Sequence, residues 1–297
     1  MTATQETSPD IEAVFSGVQE TLLITLYGKY LDAQSPKPLL GDRYAGPMLD
    51  RLGGPAAIEK RLSGQPANMA GVAVRARLLD DWLAEFLDAH KCATVLHLGC
   101  GLDTRALRLQ ERCGPEVRWL DLDVPEVIEG RRQLAPEPQL PGGYEMVGAS
   151  VTETAWLDAV PADRPVVAVF EGLSMYLTHE QGQDLVRRVA TRFLSGQLLF
   201  DVLSGTAVSL LNRWLRFRGG WDVVFSWGVD YPQELETIHD GLRLRDCVLL
   251  LQGPGVEELP LRPRVTMYVL SWIPYLRSLF MGLRYEFGQP ASPGPVP

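Results

Sequence analysis

The stretch Val95-Leu-His-Leu-Gly-Cys-Gly-Leu-Asp-Thr-Arg105 constrains this chain more than any other. It reads as a short apolar strand, a turn with two glycines one residue apart, and the start of a helix. Glycine admits a left-handed backbone and close approach of a ligand, and a helix start offers unpaired N–H groups. The same grammar continues downstream. Residues 93–98, 117–122, 144–147, 165–170 and 197–202 read as strands, and 103–109, 125–134 and 179–193 read as helices between them. The run 165–170 is apolar throughout, as a strand buried on both faces should be. Such alternation predicts an α/β fold, a doubly wound and mostly parallel sheet of the Rossmann-like kind. A ligand then belongs at the carboxyl ends of the strands, near the switch point.

The flanking sequence predicts helices at 14–31 and 72–87, the second presenting Leu78, Leu79, Trp82, Leu83 and Phe86 on one face. Beyond the core, 207–218 and 232–238 read as helices, and 242–251 and 283–287 as strands that bring the sheet to seven. The expected organisation is one domain over 13–288. Its core sheet lies at about 90–205, with caps at 13–90 and 205–285, a disordered 1–12 and a flexible Pro/Gly-rich tail at 289–297. At 297 residues the chain can bury a sizeable core. A net charge of −9 without a Lys/Arg run argues against a nucleic-acid partner. Four scattered cysteines, with no CxxC and no Cys/His pair at ligand spacing, predict thiols of a cytoplasmic protein and no metal. The polar, acidic MTATQETSPD is not expected to be a signal peptide. The most apolar run, 265–283, is broken by Pro274 and carries Arg277. It predicts a buried or pocket-lining helix rather than a membrane span. A monomer or homodimer is expected.

Chemistry concentrates at three strand ends. Gly99 and Gly101 form the turn after the first. Asp121 and Asp123 end the second, about 20 residues on, where a carboxylate can accept both hydroxyls of a ribose. The pair points to an adenosine-containing cofactor, for which NAD and S-adenosylmethionine compete. NAD would want a third glycine where Thr104 stands, and Asp103 would face its pyrophosphate. S-adenosylmethionine has no phosphate, carries cationic ammonium and sulfonium groups that nearby carboxylates favour, and needs one cation for its carboxylate, from Arg75 or Arg105. The third end, Phe170-Glu-Gly-Leu-Ser-Met-Tyr-Leu177, sends Glu171 toward the cleft, with Tyr176 as a second substrate-side residue. His97, inside a strand, reads as a hydrogen-bonded core histidine. The cap aromatics Trp214, Phe217, Trp221, Phe225, Trp227, Tyr268, Trp272 and Tyr275 would suit a flat substrate. No compelling general base is evident, which tilts the acceptor toward a carboxylate or an acidic phenol.

Together these blocks resemble the leucine carboxyl methyltransferase family, in particular its bacterial polyketide O-methyltransferase branch. They are Leu98-Gly-Cys-Gly-Leu-Asp-Thr-Arg105 with Arg108-Leu109, Trp119-Leu-Asp-Leu-Asp-Val-Pro-Glu-Val-Ile128, Glu171–Leu177, Arg75-Ala-Arg77 through Asp80, and Thr21–Lys29. The resemblance implies a class I S-adenosylmethionine-dependent methyltransferase. Arg75 would bind the cofactor's carboxylate, Gly99 and Gly101 its methionine part, Asp123 its ribose, and Glu171 its methionyl end or the substrate. Ser150, beside Ala149, stands where the family often has an Asp against the adenine amino group. The expected substrate is a small, aromatic, polyketide-like molecule. A protein C-terminal leucine carboxyl methyltransferase is the alternative within the family, and an NAD-dependent oxidoreductase the alternative outside it.

Overall fold

The computed structural model describes residues 19–62, 69–218 and 224–288. The expectations for 1–12, 289–297 and Trp221 fall outside the described residues. Seven strands form one sheet: β1 (Ala93–Leu98), β2 (Val117–Asp123), β3 (Tyr144–Gly148), β4 (Val166–Phe170), β5 (Ser195–Leu203), β6 (Arg243–Leu249) and β7 (Phe280–Gly288). Their order is β3-β2-β1-β4-β5-β7-β6. The first five are parallel, and β7 runs antiparallel between β5 and β6. Two strands of the sheet thus come from the stretch expected as cap. The order reverses between β1 and β4, which opens the switch-point crevice at their carboxyl ends.

Strand periodicity decides what each face buries. Leu96, Leu98, Ala168, Phe170, Leu198 and Phe200 pack on one side against α4 (His179–Arg192), through Leu185, Val186 and Val189. Val95, Trp119, Val167, Val169 and Leu199 pack on the other against α2 (Met69–Ala89), through Leu78, Leu79, Trp82, Leu83 and Phe86. Each such Leu or Phe contributes about 1.5–3 kcal/mol when fully buried. α4 starts on a capping box, in which Thr178 accepts from the Gln181 amide while the Gln181 side chain accepts from the Thr178 amide. α1 (Gln19–Ala33) and α3 (Pro125–Leu134) flank the crevice, while α5 (Gly205–Arg218) and α6 (Leu261–Ser271) belong to the cap.

The apolar run 265–283 departs from expectation. α6 begins four residues before that run, turns Met267 and Ser271 inward, and leaves Val265, Tyr268 and Val269 exposed, with Trp272 and Ile273 exposed just after it. From Phe280 the run is already β7. A high content of apolar residues is common to a fully buried helix and to one whose outer face stays open, so it could not separate the two there. Residues 232–238 are also 3-10 helix rather than α-helix.

A polar seam locks the sheet beneath the glycine turn. Asp121 is wholly buried on the α2 side of β2. Its carboxylate accepts from Trp119 Nε1 (2.7 Å) and His97 Nδ1 (3.0 Å) on one oxygen, and from Arg131 Nη2 (2.7 Å) and the Tyr144 hydroxyl (2.7 Å) on the other. Arg131, from α3, also donates to the Gly101 carbonyl at 3.0 Å. His97 Nε2 receives Arg105 Nη1 at 3.2 Å. Because a guanidinium only donates, Nε2 must be the acceptor and the His97 proton sits on Nδ1. Burial alone would raise the Asp121 carboxyl, but Arg131 and His97 beside it hold it below the usual carboxylate range.

Two variants test this packing. A Cβ on Gly182 of α4 would lie 2.0 Å from the Trp227 ring, which is itself buried beside Phe200. Gly182→Ala should gain about 1 kcal/mol of helix propensity and lose about 2–3 to overpacking, for a net loss of about 1–2 kcal/mol in a urea melt. Arg131→Met strands the buried Asp121 charge and should cost about 3–5 kcal/mol near pH 7. The wild-type contribution of this depressed carboxylate is complete above the ordinary Asp value of about 3.9 and fades as pH falls through its lower native value. In the variant Asp121 takes a proton more readily, so the gap between the two melts should narrow by pH 4–5; a constant gap would contradict the assigned role.

Candidate active site

Three strand ends and two helices meet at the switch point. After β1, Gly99 and Gly101 have φ of +61° and +49°. These left-handed values strain any residue with a Cβ. A Cβ on Gly101 would also come within 2.7 Å of Leu22, and one on Gly99 within 3.1 Å of Leu173. After β2, Asp123 accepts from the amides of Gly101 (2.7 Å) and Val124 (2.8 Å). Burial raises its carboxyl, and those two amides offset the rise only in part.

After β4, Glu171 is where cations converge. Arg105 Nη2 reaches it at 2.6 Å, Arg75 Nη2 at 3.2 Å and Lys29 Nζ at 3.8 Å. Burial would raise this carboxyl, but Lys29, Arg75 and Arg105 pull it down to about 2. The turn continues through Gly172, φ +66°, whose amide donates to Asp201 of β5 at 2.6 Å. Asp201 also takes Arg75 Nη1 at 3.0 Å. Asp103 pairs with Arg108 (2.7 Å), Lys29 (3.0 Å) and Arg105 (3.0 Å). Behind them, Asp80 of α2 holds Arg105 and Arg108, and Asp42 holds Arg108.

A cavity of about 540 Å³ opens over this network, within the usual range for small-molecule sites. Its polar wall is Lys29, Arg75, His97, Asp103, Asp123 and Glu171, with Gly99 and Gly101 between. Its apolar wall is Met175, Leu211, Trp214, Leu215, Phe225 and Phe280. Tyr176 lines the cavity too, with its hydroxyl hydrogen-bonded to Thr21.

Arg75, Gly99, Gly101, Asp123, Glu171 and Tyr176 are thus brought to one cavity. Asp121 is not: every donor around it belongs to the seam beneath the turn, so its assignment to the cofactor gives way to a structural role. Ala149 and Ser150 follow β3 and also lie outside the cavity lining. The Ala149 amide donates to the Asp123 carbonyl at 2.9 Å, and the Ser150 hydroxyl bonds Thr152. Arg105 is fully buried in the network, which leaves Arg75 as the arginine at the cavity. Of the cap aromatics, Trp214 and Phe225 line the cavity, Trp227 is core, and Phe217, Tyr268 and Trp272 are exposed. The side chain of Tyr275 lies outside the described residues. Sequence reasoning missed Asp201 altogether, and it reached Lys29 only as the last residue of the block Thr21–Lys29, with no role assigned. Asp201 lies inside the apolar run Leu198–Leu203, with Val202 and Leu203 buried after it, so the strand-end rule that finds Glu171 passes over it.

Comparison with known proteins places the chain in a family. The family model for leucine carboxyl methyltransferase matches residues 23–190. The tetracenomycin polyketide synthesis O-methyltransferase TcmP of Streptomyces glaucescens is 40% identical over 275 residues, 92% of this chain and 97% of that protein. The S-adenosyl-L-methionine-dependent methyltransferase dpfgK of Gibberella zeae is 36% identical over 256 residues, 81% of this chain and 85% of that one. Among solved structures, a Thermobifida fusca protein assigned as a methyltransferase superposes with a TM-score of 0.59 at 16% identity, covering 96% of this chain and all of that one. The matched span holds the glycine turn, Asp123, Glu171 and Arg75, and the chain belongs to the leucine carboxyl methyltransferase family.

Proposed function

We propose that this protein is an S-adenosylmethionine-dependent O-methyltransferase whose acceptor is a small, aromatic, polyketide-like molecule bearing a carboxylate or an acidic phenol. The observation that carries the reading is the cavity's mixed lining, which joins Asp123, Glu171 and Arg75 to the aromatic residues Trp214, Phe225 and Phe280. The near full-length likeness to a polyketide O-methyltransferase supports it.

The donor set fits the cofactor. Asp123 is a partly exposed carboxylate raised by burial, so two ribose O–H donors would relieve it. Glu171 is an ionised acceptor for an ammonium. Arg75 can turn its fork to a carboxylate, and the bare glycine turn leaves room for the methionine chain. The cofactor supplies an electrophilic methyl on sulfur; what remains for the protein is alignment and exclusion of water. Trp214 and Phe225 would hold a flat acceptor by stacking. At the apolar wall Tyr176 offers the one titratable side chain among the described lining residues. Burial raises its hydroxyl, so it donates a hydrogen bond rather than removing a proton. The lining carboxylates are committed to cations and amides. An acceptor that is already ionised needs no base, which is why an acidic oxygen is favoured.

A dinucleotide fits poorly. Its pyrophosphate would meet Asp103, and Thr104, in the place of a third glycine, donates to Asp42 at 2.6 Å. Four free thiols support a cytoplasmic location, and no helix among the described residues is long and apolar enough to cross a membrane.

Calorimetric titration with S-adenosylmethionine beside NAD tests the cofactor. Binding of NAD alone would overturn the reading. Labelled methyl transfer to aromatic acids tests the acceptor, and label on a leucine-terminated peptide instead would move the function to the protein carboxyl reaction. Asp123→Asn should weaken S-adenosylmethionine binding about 10- to 100-fold, the worth of hydrogen bonds to a charged group. Trp214→Ala should raise KM for an aromatic acceptor about ten-fold through lost stacking and burial, with cofactor affinity little changed.

A further inference from the structure

The ion network beside the cavity does not balance. It holds four cationic side chains, Lys29, Arg75, Arg105 and Arg108, against five carboxylates, Asp42, Asp80, Asp103, Glu171 and Asp201. All of these side chains are at most 12% exposed. Asp123 adds a sixth carboxylate on the same cavity, and among the described residues it accepts from amides and has no ion pair. His97 contributes no charge in the tautomer that accepts from Arg105, and Asp121 is matched by Arg131. The network together with Asp123 is therefore short of two positive charges, and the cavity wall itself, with Lys29 and Arg75 against Asp103, Asp123 and Glu171, is short of one. Asp201 lies just behind that lining, where it shares Arg75 with Glu171.

We infer that this uncompensated acidic wall makes the site select the cationic methyl donor over its neutral thioether product, with Asp201 as a specificity-determining residue. The inference rests on the proposed cofactor. S-adenosylmethionine carries a sulfonium, an ammonium and a carboxylate, for a net charge of about +1 near neutral pH. When the acceptor oxygen takes the methyl, the carbon–sulfur bond pair stays on sulfur. S-adenosylhomocysteine is left with the same ammonium and carboxylate and no charge on sulfur. The two ligands share every hydrogen bond that Asp123, Arg75 and Glu171 can make, and they differ by one methyl and one positive charge. A buried acidic excess favours the charged ligand, because unpaired buried charge is costly and short-range attraction is strong away from water. Loss of that charge on transfer then weakens the grip on the product, which opposes product inhibition.

The test is calorimetry on the full chain with three ligands. These are S-adenosylmethionine, S-adenosylhomocysteine and the analogue with a protonated amine in place of the methylsulfonium. Both cationic ligands should bind about ten-fold or more tightly than S-adenosylhomocysteine, the scale of one favourable unit charge at intermediate dielectric. Asp201→Asn keeps a side-chain oxygen for the Gly172 amide and removes one negative charge. It should shrink the ratio several-fold, whereas a purely structural role would weaken all three ligands alike. Equal or tighter binding of S-adenosylhomocysteine by the wild type overturns the inference and leaves the proposed function intact. The analogue comparison needs no variant, so it decides the matter even if Asp201→Asn folds poorly. Failure of all three to bind removes the functional reading itself.

Discussion

Glu171 is the point on which the site depends. A carboxylate at the end of a buried parallel strand is costly unless cations reach it, and three do so from three separate elements: Lys29 from α1, Arg75 from α2 and Arg105 after the glycine turn. Satisfying this one group ties α1 and α2 to the sheet and sets the floor of the cavity. The Arg105 fork continues to Asp80 and Asp103, so the turn that carries Gly99 and Gly101 is held from below and from the side. Replacing such a network with apolar residues could leave the fold as stable. Its retention here is explained by the cavity, where fixed charges must face a ligand that carries both signs.

Much of this was legible in the sequence because it is local. Strand, glycine turn and helix start are neighbours along the chain, and β1 runs over Ala93–Leu98 as its composition predicts. Asp123 and Glu171 announce themselves by position, each closing an apolar strand. Asp121 shows the limit of that logic. Alternation says that Asp121 and Asp123 point the same way from the pleat, but not that one lies beneath a turn and the other beside a cavity. That difference is made by Arg131 and Tyr144, from α3 and β3, whose side chains meet Asp121 only after the sheet has formed. Asp201, and the partners of Lys29, escaped for the same reason. Arg75 and Asp201 are 126 residues apart, and no short-range pattern encodes their contact.

The cap was harder to read. The aromatic residues of 205–280 divide among cavity lining, core and exposed surface, although their types are alike. Trp227 is buried against Phe200 beneath Gly182, Trp214 faces the cavity, and Trp272 lies open to solvent. Burial of a tryptophan follows from which neighbours reach it. In a segment joined to the sheet by antiparallel strands rather than by crossover helices, helical periodicity gives little guidance.

This contrast between core and cap bears on how acceptors could be exchanged within such a fold. Asp123, Glu171, Asp201 and the glycine turn are anchored to four adjacent parallel strands, whose register allows them little freedom. Trp214 and Leu215 stand on α5, which contributes few atoms to the buried core and keeps Leu210 and Phe217 exposed. Substitution on the cavity face of α5 would reshape the apolar wall without disturbing any member of the ion network. The wall that recognises the acceptor can therefore vary while the wall that meets the donor stays fixed, because only the second is bound by the electrostatics of the sheet.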